Sequence, residues 1–245
     1  MVEEPSIAVI TGGASGIGRA TVTRFLEDDV YDLVACLDIA EDVEKRFEDE
    51  SIRAFRCDVT DHDQVSETIS ELEGEGRIDA VVNNAGFSKY SWIGDLSPDE
   101  WREIIDINLT SQYNLAHTAA PAMYEREHGY LLNVSSGAGK RGSASGGVHY
   151  SAAKAGVFGL TKGLAKQLSP YVRVNCVIPG LVDTPLATDS NLWTETELEE
   201  QAERIPLKRL AQPDDVARVI HFLCDEGASY MTGELVTVDG GSSLS

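Results

Sequence analysis

Apolar positions along the chain fall into two alternating kinds of run. Short stretches rich in Val, Ile and Leu are nearly continuous. Longer stretches between them repeat apolar residues at helical spacing. The short runs predict strands at 6–11, 31–38, 52–57, 78–83, 129–135, 172–178 and 234–238. The longer runs predict helices at about 16–28, 41–49, 61–73, 98–117, 150–168 and 213–225. Ser97-Pro98-Asp99-Glu100 reads as a capping box with proline at the first helical position, and Pro213 ahead of two Asp opens the last helix in the same way. Thr60 reads as the N-cap of the third helix. Apolar strands joined through helices predict an α/β fold with one domain spanning 1–245. The sheet is parallel, doubly wound and Rossmann-type, with about seven strands and helices on both faces.

Composition fits that reading: 42% of the 245 residues are hydrophobic and 25% charged. Charge adds something new. Asp and Glu number 41 against 20 Lys and Arg, a formal net charge of −21, which excludes nucleic acid and anionic membrane as partners. Only seven of the basic residues are Lys. An acidic, Lys-poor chain resembles proteins of salt-loving organisms, where a Debye length of about 3 Å at molar salt screens self-repulsion. No apolar run approaches the ~18 residues of a membrane span, and the acidic start predicts a cytoplasmic protein with no secretory leader. Cys36, Cys57, Cys176 and Cys224 sit apart in apolar stretches and read as buried, reduced thiols. Asp58, Asp61 and Asp63 resemble an oxygen-ligand run but read better as a helix start, so no metal is expected.

Ligands of such sheets bind beyond the carboxyl ends of the strands. The first strand runs into Thr11-Gly12-Gly13-Ala14-Ser15-Gly16-Ile17-Gly18, a glycine loop between a strand and a helix. Glycine permits a tight turn and close approach of backbone to a phosphate, and the helix N-terminus favours the negative charge. Asp38 ends the second strand, twenty residues after Gly18. A carboxylate there accepts hydrogen bonds from ribose hydroxyls and repels a 2′-phosphate, which favours NAD over NADP; the alternative is a cap on the following turn. No Arg or Lys lies in the loop before Gly18 or directly after Asp38, so a phosphate clamp is hard to find. Tyr150 and Lys154, four residues apart, share one face of a predicted helix. A phenol of pKa ~10 is a poor base, and an adjacent ammonium stabilises its phenolate.

The T-G-x-x-x-G-x-G loop and the Y-x-x-x-K pentad together resemble the short-chain dehydrogenase/reductase family, and further motifs extend the likeness over residues 6–241. The resemblance implies a cofactor site built from Gly12, Ser15, Gly16, Ile17, Gly18 and Asp38, with Asp58 and Val59 near the adenine. It adds Asn84, Ala85 and Gly86 of the N-N-A-G turn, then Pro179, Gly180, Val182 and Thr184 near the nicotinamide, with Tyr150 and Lys154 reaching its ribose. It implies Tyr150 as acid/base, Lys154 as the group that lowers its pKa, Ser136 rather than Ser135 as the hydroxyl that positions the substrate oxygen, and Asn108 as part of a proton relay. Ser136 precedes Tyr150 by fourteen residues, one more than expected, with five glycines between to absorb the extra residue.

The reaction implied is hydride transfer between NAD and a secondary alcohol or ketone. The leading substrate class is a small polar alcohol, sugar or hydroxy acid; the alternative is a 3-oxoacyl thioester on acyl carrier protein or CoA. A non-catalytic dinucleotide sensor is a third reading. Residues 87–96, 137–149 and 185–212 are expected to rim the pocket, the last as a mobile lid, with Phe87, Trp92 and Trp193 as candidate walls. His149 is expected as an exposed helix-start residue and Lys140-Arg141 as a solvated loop tip, each with a substrate contact as the alternative. Small residues after Tyr150 (Ala152, Ala153, Ala155, Gly156, Gly159) suit a helix packed into a homodimer or homotetramer interface, again by resemblance.

Overall fold

Strand β1 (Ser6–Thr11) sends Ile7 and Val9 into one core and Ala8 and Ile10 into another, all four fully buried. Two buried faces explain why its sequence lacks the polar alternation of a half-exposed strand. The computed structural model describes residues 4–28, 30–188 and 193–244. β1 lies near the centre of a seven-stranded sheet with β2 (Leu33–Asp38), β3 (Ile52–Arg56), β4 (Arg77–Asn83), β5 (Gly129–Val134), β6 (Val172–Pro179) and β7 (Leu235–Val238). The order is β3-β2-β1-β4-β5-β6-β7 and every pair is parallel. Each strand expected from the apolar runs is present. The fold is a single-domain, Rossmann-type α/β sandwich.

The sheet is covered by α1 (Gly16–Glu27) and α9 (Pro213–Leu223) on one face, through Val22, Phe25, Val216 and Ile220. On the other face lie α2 (His62–Glu75), α4 (Ser111–Glu125) and α6 (Gly147–Leu168), through Val65, Leu72, Leu115, Met123 and Ala165. At the switch point, where connections from β1 and β4 leave in opposite directions, the strand ends open a crevice. A buried amide chain braces the adjoining strands: Asn83 Nδ2 donates to Asn133 Oδ1 at 2.9 Å, and Asn133 Nδ2 to Thr161 Oγ1 at 2.9 Å.

Several sequence expectations need correction. The N-cap of α2 is Asp61, whose carboxylate accepts from the Asp63 and Gln64 N–H groups; Thr60 instead donates to Asp58. The helix expected over 41–49 shrinks to one 3₁₀ turn, Val43–Lys45. The long helix expected over 98–117 is α3 (Pro98–Ile105), a π-helical turn over Asp106–Thr110, then α4. The Ser97 capping box is present as expected. Two short helices lie in the stretch read as a lid, α7 (Pro185–Thr188) and α8 (Glu195–Arg204); positions 189–192 fall outside the described residues. The four cysteines are buried and free. Among the described residues, no helix is long and apolar enough to cross a membrane.

Candidate active site

The loop after β1 is held by backbone and by its neighbour strands. Gly12 and Gly16 have φ of +64° and +53°, which L side chains rarely adopt. Gly18 is required by crowding: a Cβ there would lie 2.1 Å from the Gly12 carbonyl oxygen and 2.6 Å from Asn84 Nδ2. Ser15 is the N-cap of α1, yet its hydroxyl makes no capping bond, so the first N–H groups of that helix remain available to an anion. Asp38 closes the same corner. One carboxylate oxygen accepts from the Ala14 N–H at 3.0 Å and the other from the Ala40 N–H at 3.0 Å. The turn cap does not exhaust the side chain: Asp38 also lines the cavity, and a carboxylate keeps further lone pairs.

The N-N-A-G turn locks onto this loop. Asn84 Nδ2 donates to the Thr11 carbonyl at 2.9 Å, and the Thr11 hydroxyl accepts from the N–H groups of Asn84 and Ala85, each at 3.0 Å. Gly86 follows at a crossing point: a Cβ there would lie 3.0 Å from Asn108 Oδ1 and 3.3 Å from Lys154 Nζ. Asn108 sits fully buried in the π-helical turn, donating to the Phe87 carbonyl at 2.7 Å and the Ile104 carbonyl at 2.9 Å. The extra residue of that turn aims its amide at the β4 loop; such turns often mark functional sites.

The serine pair after β5 divides its tasks. Ser135 is buried and donates to the Lys154 carbonyl at 2.7 Å, which commits it to the α6 backbone. Ser136 is half-buried, lines the cavity and hydrogen-bonds the Tyr150 phenol. Ser135 lines the cavity as well, but Ser136 is the hydroxyl that meets the phenol. Burial raises the Tyr150 pKa above the ordinary phenol value, and the Ser136 bond pulls it partly back. Lys154 is 3% exposed, donates to the Val134 carbonyl at 3.1 Å, and holds its ammonium 5.8 Å from the Tyr150 ring centre. Burial pushes its pKa down to about 8.

One cavity of about 930 Å³ takes in the glycine loop, Asp38, Asp58, the N-N-A-G turn, Ser136, Tyr150, Lys154 and the 179–187 segment. Val59 lines it, with its carbonyl fixed by Asn114 Nδ2 at 3.0 Å. Thr184 reaches back to α1: its methyl would lie 3.2 Å from a Cβ on Gly16. Gly180 must be glycine because a Cβ would meet Asp239 at 2.8 Å. A phosphate cradle that side chains would fill, a carboxylate at the ribose corner and an acid/base pair at the far end together fit a nicotinamide dinucleotide.

Comparison with known proteins agrees. The family described as enoyl-(acyl carrier protein) reductase matches residues 12–243. A 3-oxoacyl-[acyl-carrier-protein] reductase of Thermotoga maritima is 35% identical, covering 97% of this chain and 98% of the relative. The chain belongs to the short-chain dehydrogenase/reductase family. The aldohexose dehydrogenase of Thermoplasma acidophilum superposes with a TM-score of 0.88 at 32% identity, covering 99% of this chain and 95% of that one. A 3-oxoacyl-[acyl-carrier protein] reductase of Brucella melitensis with bound NAD gives 0.85 at 35% identity, covering 98% and 91%. Short-chain dehydrogenases use nicotinamide cofactors on carbonyl or hydroxyl groups, and this chain is an oxidoreductase of that kind.

Against that frame of a short-chain dehydrogenase, the substrate side departs most from expectation. His149 is 1% exposed, inside an α6 that starts at Gly147, and burial lowers its pKa. Lys140 and Arg141 are exposed, as a solvated tip would be, but they end a short helix, α5 (Ala138–Arg141), rather than a loop. Lys140 donates to Thr237 Oγ1 at 2.6 Å, and Arg141 to the Ser242 carbonyl at 3.0 Å. Phe87 and Trp193 line the cavity; Trp92 is 60% exposed and packs over Gly94. Sequence reasoning passed over Arg46, which reaches the Ala14 carbonyl at 3.4 Å beside Asp38 while pairing with Asp42 at 2.7 Å. Ser88, within the 87–96 stretch expected to rim the pocket, is a buried hydroxyl lining the cavity with no hydrogen-bond partner among the described residues. Nothing local signalled Arg46. Of the small residues on α6, Ala153 and Gly156 face inward, the latter against Leu109, while Ala155 and Gly159 are exposed.

Proposed function

We propose that the protein is an NAD-preferring oxidoreductase of a small polar secondary alcohol and its ketone. The observation that carries this reading is the convergence of Ser136, Tyr150 and Lys154 on one end of a cavity, with the Asn108 amide buried behind Gly86, while Asp38 closes the other end. The nicotinamide supplies or accepts the hydride. Tyr150 Oη hands a proton to the ketone oxygen, or takes it from the alcohol, within hydrogen-bond reach of Ser136. Burial keeps the phenol protonated and so a competent donor in the reductive direction. Ser136 orients the oxygen, and the Lys154 ammonium adds positive charge behind the phenol.

Asp38 supports NAD. Its carboxylate is pinned by two backbone N–H groups and would face a 2′-phosphate as a like charge. Arg46 does not offset this, because Asp42 already neutralises it. A second reading, reduction of a 3-oxoacyl thioester, is favoured by the Thermotoga and Brucella relatives. NAD preference does not argue against it, since the Brucella structure holds NAD. We also expect a homodimer or homotetramer using the exposed Ala155–Gly159 side of α6, a cytoplasmic protein and a requirement for molar salt. A sedimentation mass and dialysis to low salt test the oligomer and the salt requirement.

The deciding experiment is a set of initial rates in molar KCl with sugars, hydroxy acids and short 3-hydroxyacyl thioesters, using NAD⁺ and NADP⁺ in parallel. Turnover of a sugar or hydroxy acid with NAD⁺ is the expected result. Preference for thioesters with NADP⁺ would overturn both the cofactor and the substrate reading.

A further inference from the structure

We propose that Arg141 is an anion-recognising residue of the substrate pocket, and that the substrate is a small keto acid and the matching hydroxy acid. This rests on the reading above and narrows its substrate class. Arg141 lines the same cavity as Ser136 and Tyr150. Its guanidinium lies over Gly137, the residue next to Ser136: a Cβ on Gly137 would sit 3.2 Å from Arg141 Nη2 and 3.9 Å from Cζ. Glycine at 137 therefore leaves room for the guanidinium beside the hydroxyl that orients the reacting oxygen.

The charge at this place is unmatched. Among the described residues no carboxylate lies within 4.0 Å of Arg141, and its recorded bond is the one from Nη1 to the Ser242 carbonyl, at 3.0 Å. A guanidinium carries five N–H donors in a planar fork, so Nη2 and Nε remain for a second acceptor. Arg204 of α8 also lines the cavity, but it leans on Glu200 at 3.9 Å. Lys140 is turned away to Thr237. Glu103, on α3, is the carboxylate among the cavity's substrate-side residues, and it leaves the Arg141 side as the place for an anion. The whole chain carries a net charge of −21 and repels anions at a distance, so capture of an anionic substrate needs a local cation.

Distance selects the class of anion. A guanidinium one residue from Ser136 meets a carboxylate a few bonds from the ketone. The phosphates of a carrier-bound thioester lie many bonds from its ketone and fall outside this reach. Carboxylate and guanidinium then form charge-assisted hydrogen bonds, which fix the carbon chain relative to Tyr150.

The test compares acetoacetate with its neutral methyl ester, each with NADH in molar KCl, for wild type, Arg141→Gln and Arg141→Lys. The wild type is expected to favour the acid over the ester by about 10- to 100-fold in kcat/KM, the worth of a charged hydrogen-bonded pair. Arg141→Gln brings that ratio close to one, chiefly through KM, and Arg141→Lys restores part of it. A wild type without acid preference, or an Arg141→Gln variant that lowers acid and ester alike, overturns the assignment while leaving the oxidoreductase reading intact. Should neither probe turn over, the keto-reductase reading fails for them and calorimetric titration of acetoacetate into the NAD⁺-loaded protein decides. Binding to wild type but not to Arg141→Gln supports the anion site; no binding to wild type overturns it.

Discussion

Two glycine-rich segments leave the carboxyl ends of strands in this sheet, one after β1 and one after β5, and they are built on different terms. In the first, Gly18 is dictated by a 2.1 Å approach to the Gly12 carbonyl, and the bonds that hold the loop run to backbone groups and to Asp38 and Asn84. In the second, Gly139 makes room for α5 against the Lys154 carbonyl, while Gly142 has open space around it and is held to glycine by its φ of +79°. Here the bonds involve side chains of the segment and its neighbours: Lys140 to Thr237, Arg141 to Ser242, and the Ser143 N–H to Ser151 Oγ at 3.0 Å. A dinucleotide presents the same phosphates and ribose to every protein that binds it, so the first segment has few solutions. The second lines the other end of the cavity, and the relatives' names differ in substrate, so its solution is expected to be local.

The largest effect expected sits where the two segments meet. Tyr150→Phe removes the proton donor and keeps the ring, so turnover should fall by about 10²- to 10⁴-fold. NAD binding, followed by quenching of intrinsic fluorescence, should stay within a few-fold of wild type. Loss of binding together with turnover would mean that the phenol holds up the cofactor end as well, and the division drawn above would fail.

Asp38→Asn probes the cofactor end alone. The amide oxygen keeps one acceptor for Ala14 or Ala40, but the charge is gone. The kcat/KM ratio of NAD⁺ to NADP⁺ should drop by about 10- to 100-fold, the range for hydrogen bonds to a charged group. Little change in the ratio, with a lowered thermal midpoint, would assign Asp38 to loop capping only and shift attention to Arg46.

The same contrast accounts for what the sequence disclosed. All seven strands and the glycine loop were legible because burial on both sheet faces and backbone crowding leave a strong residue signature. The choice of Ser136 over Ser135 came from likeness; geometry supplies the reason, since Ser135 is consumed by the Lys154 carbonyl. Residues 41–49 read as a helix but form one 3₁₀ turn, with the segment tied to its neighbours: Arg46 reaches the Ala14 carbonyl, Arg19 donates to the Arg46 carbonyl at 3.1 Å, and the Arg19 guanidinium packs 4.1 Å over the Phe47 ring. Tertiary contacts of that kind override weak helical spacing. Helix α8 escaped notice because it has no buried residue to create a periodic stripe. Its Thr194–Glu197 capping box was the available signal. His149 and Arg141 look like surface residues in any local window, and only the fold turns one inward and the other along the cavity wall.

Lys154 joins the two ends, and its burial gives the smallest expected effect, on stability. Its folded pKa of about 8 lies below the 10.5 of the free side chain. Between those values the unfolded chain binds more protons than the folded one, so wild-type stability rises with pH across that window, by about 3 kcal/mol. Below pH 8 the full cost of burying the ammonium is carried by the folded state. Lys154→Met removes that cost, and the Val134 carbonyl still accepts from Gln112 Nε2 at 3.2 Å, so it is not orphaned. The cofactor-free variant should therefore be more stable than wild type at pH 7 by about 2 kcal/mol, less whatever the thioether packs poorly. The difference should shrink steadily toward pH 10.5. Urea denaturation at pH 7 and pH 10 in matched salt measures it, alongside the loss of turnover that removing the ammonium causes. A variant less stable at both pH values by the same amount would show that packing, not charge, sets the contribution of this lysine. The buried ammonium would then carry no stability cost held for the sake of the reaction.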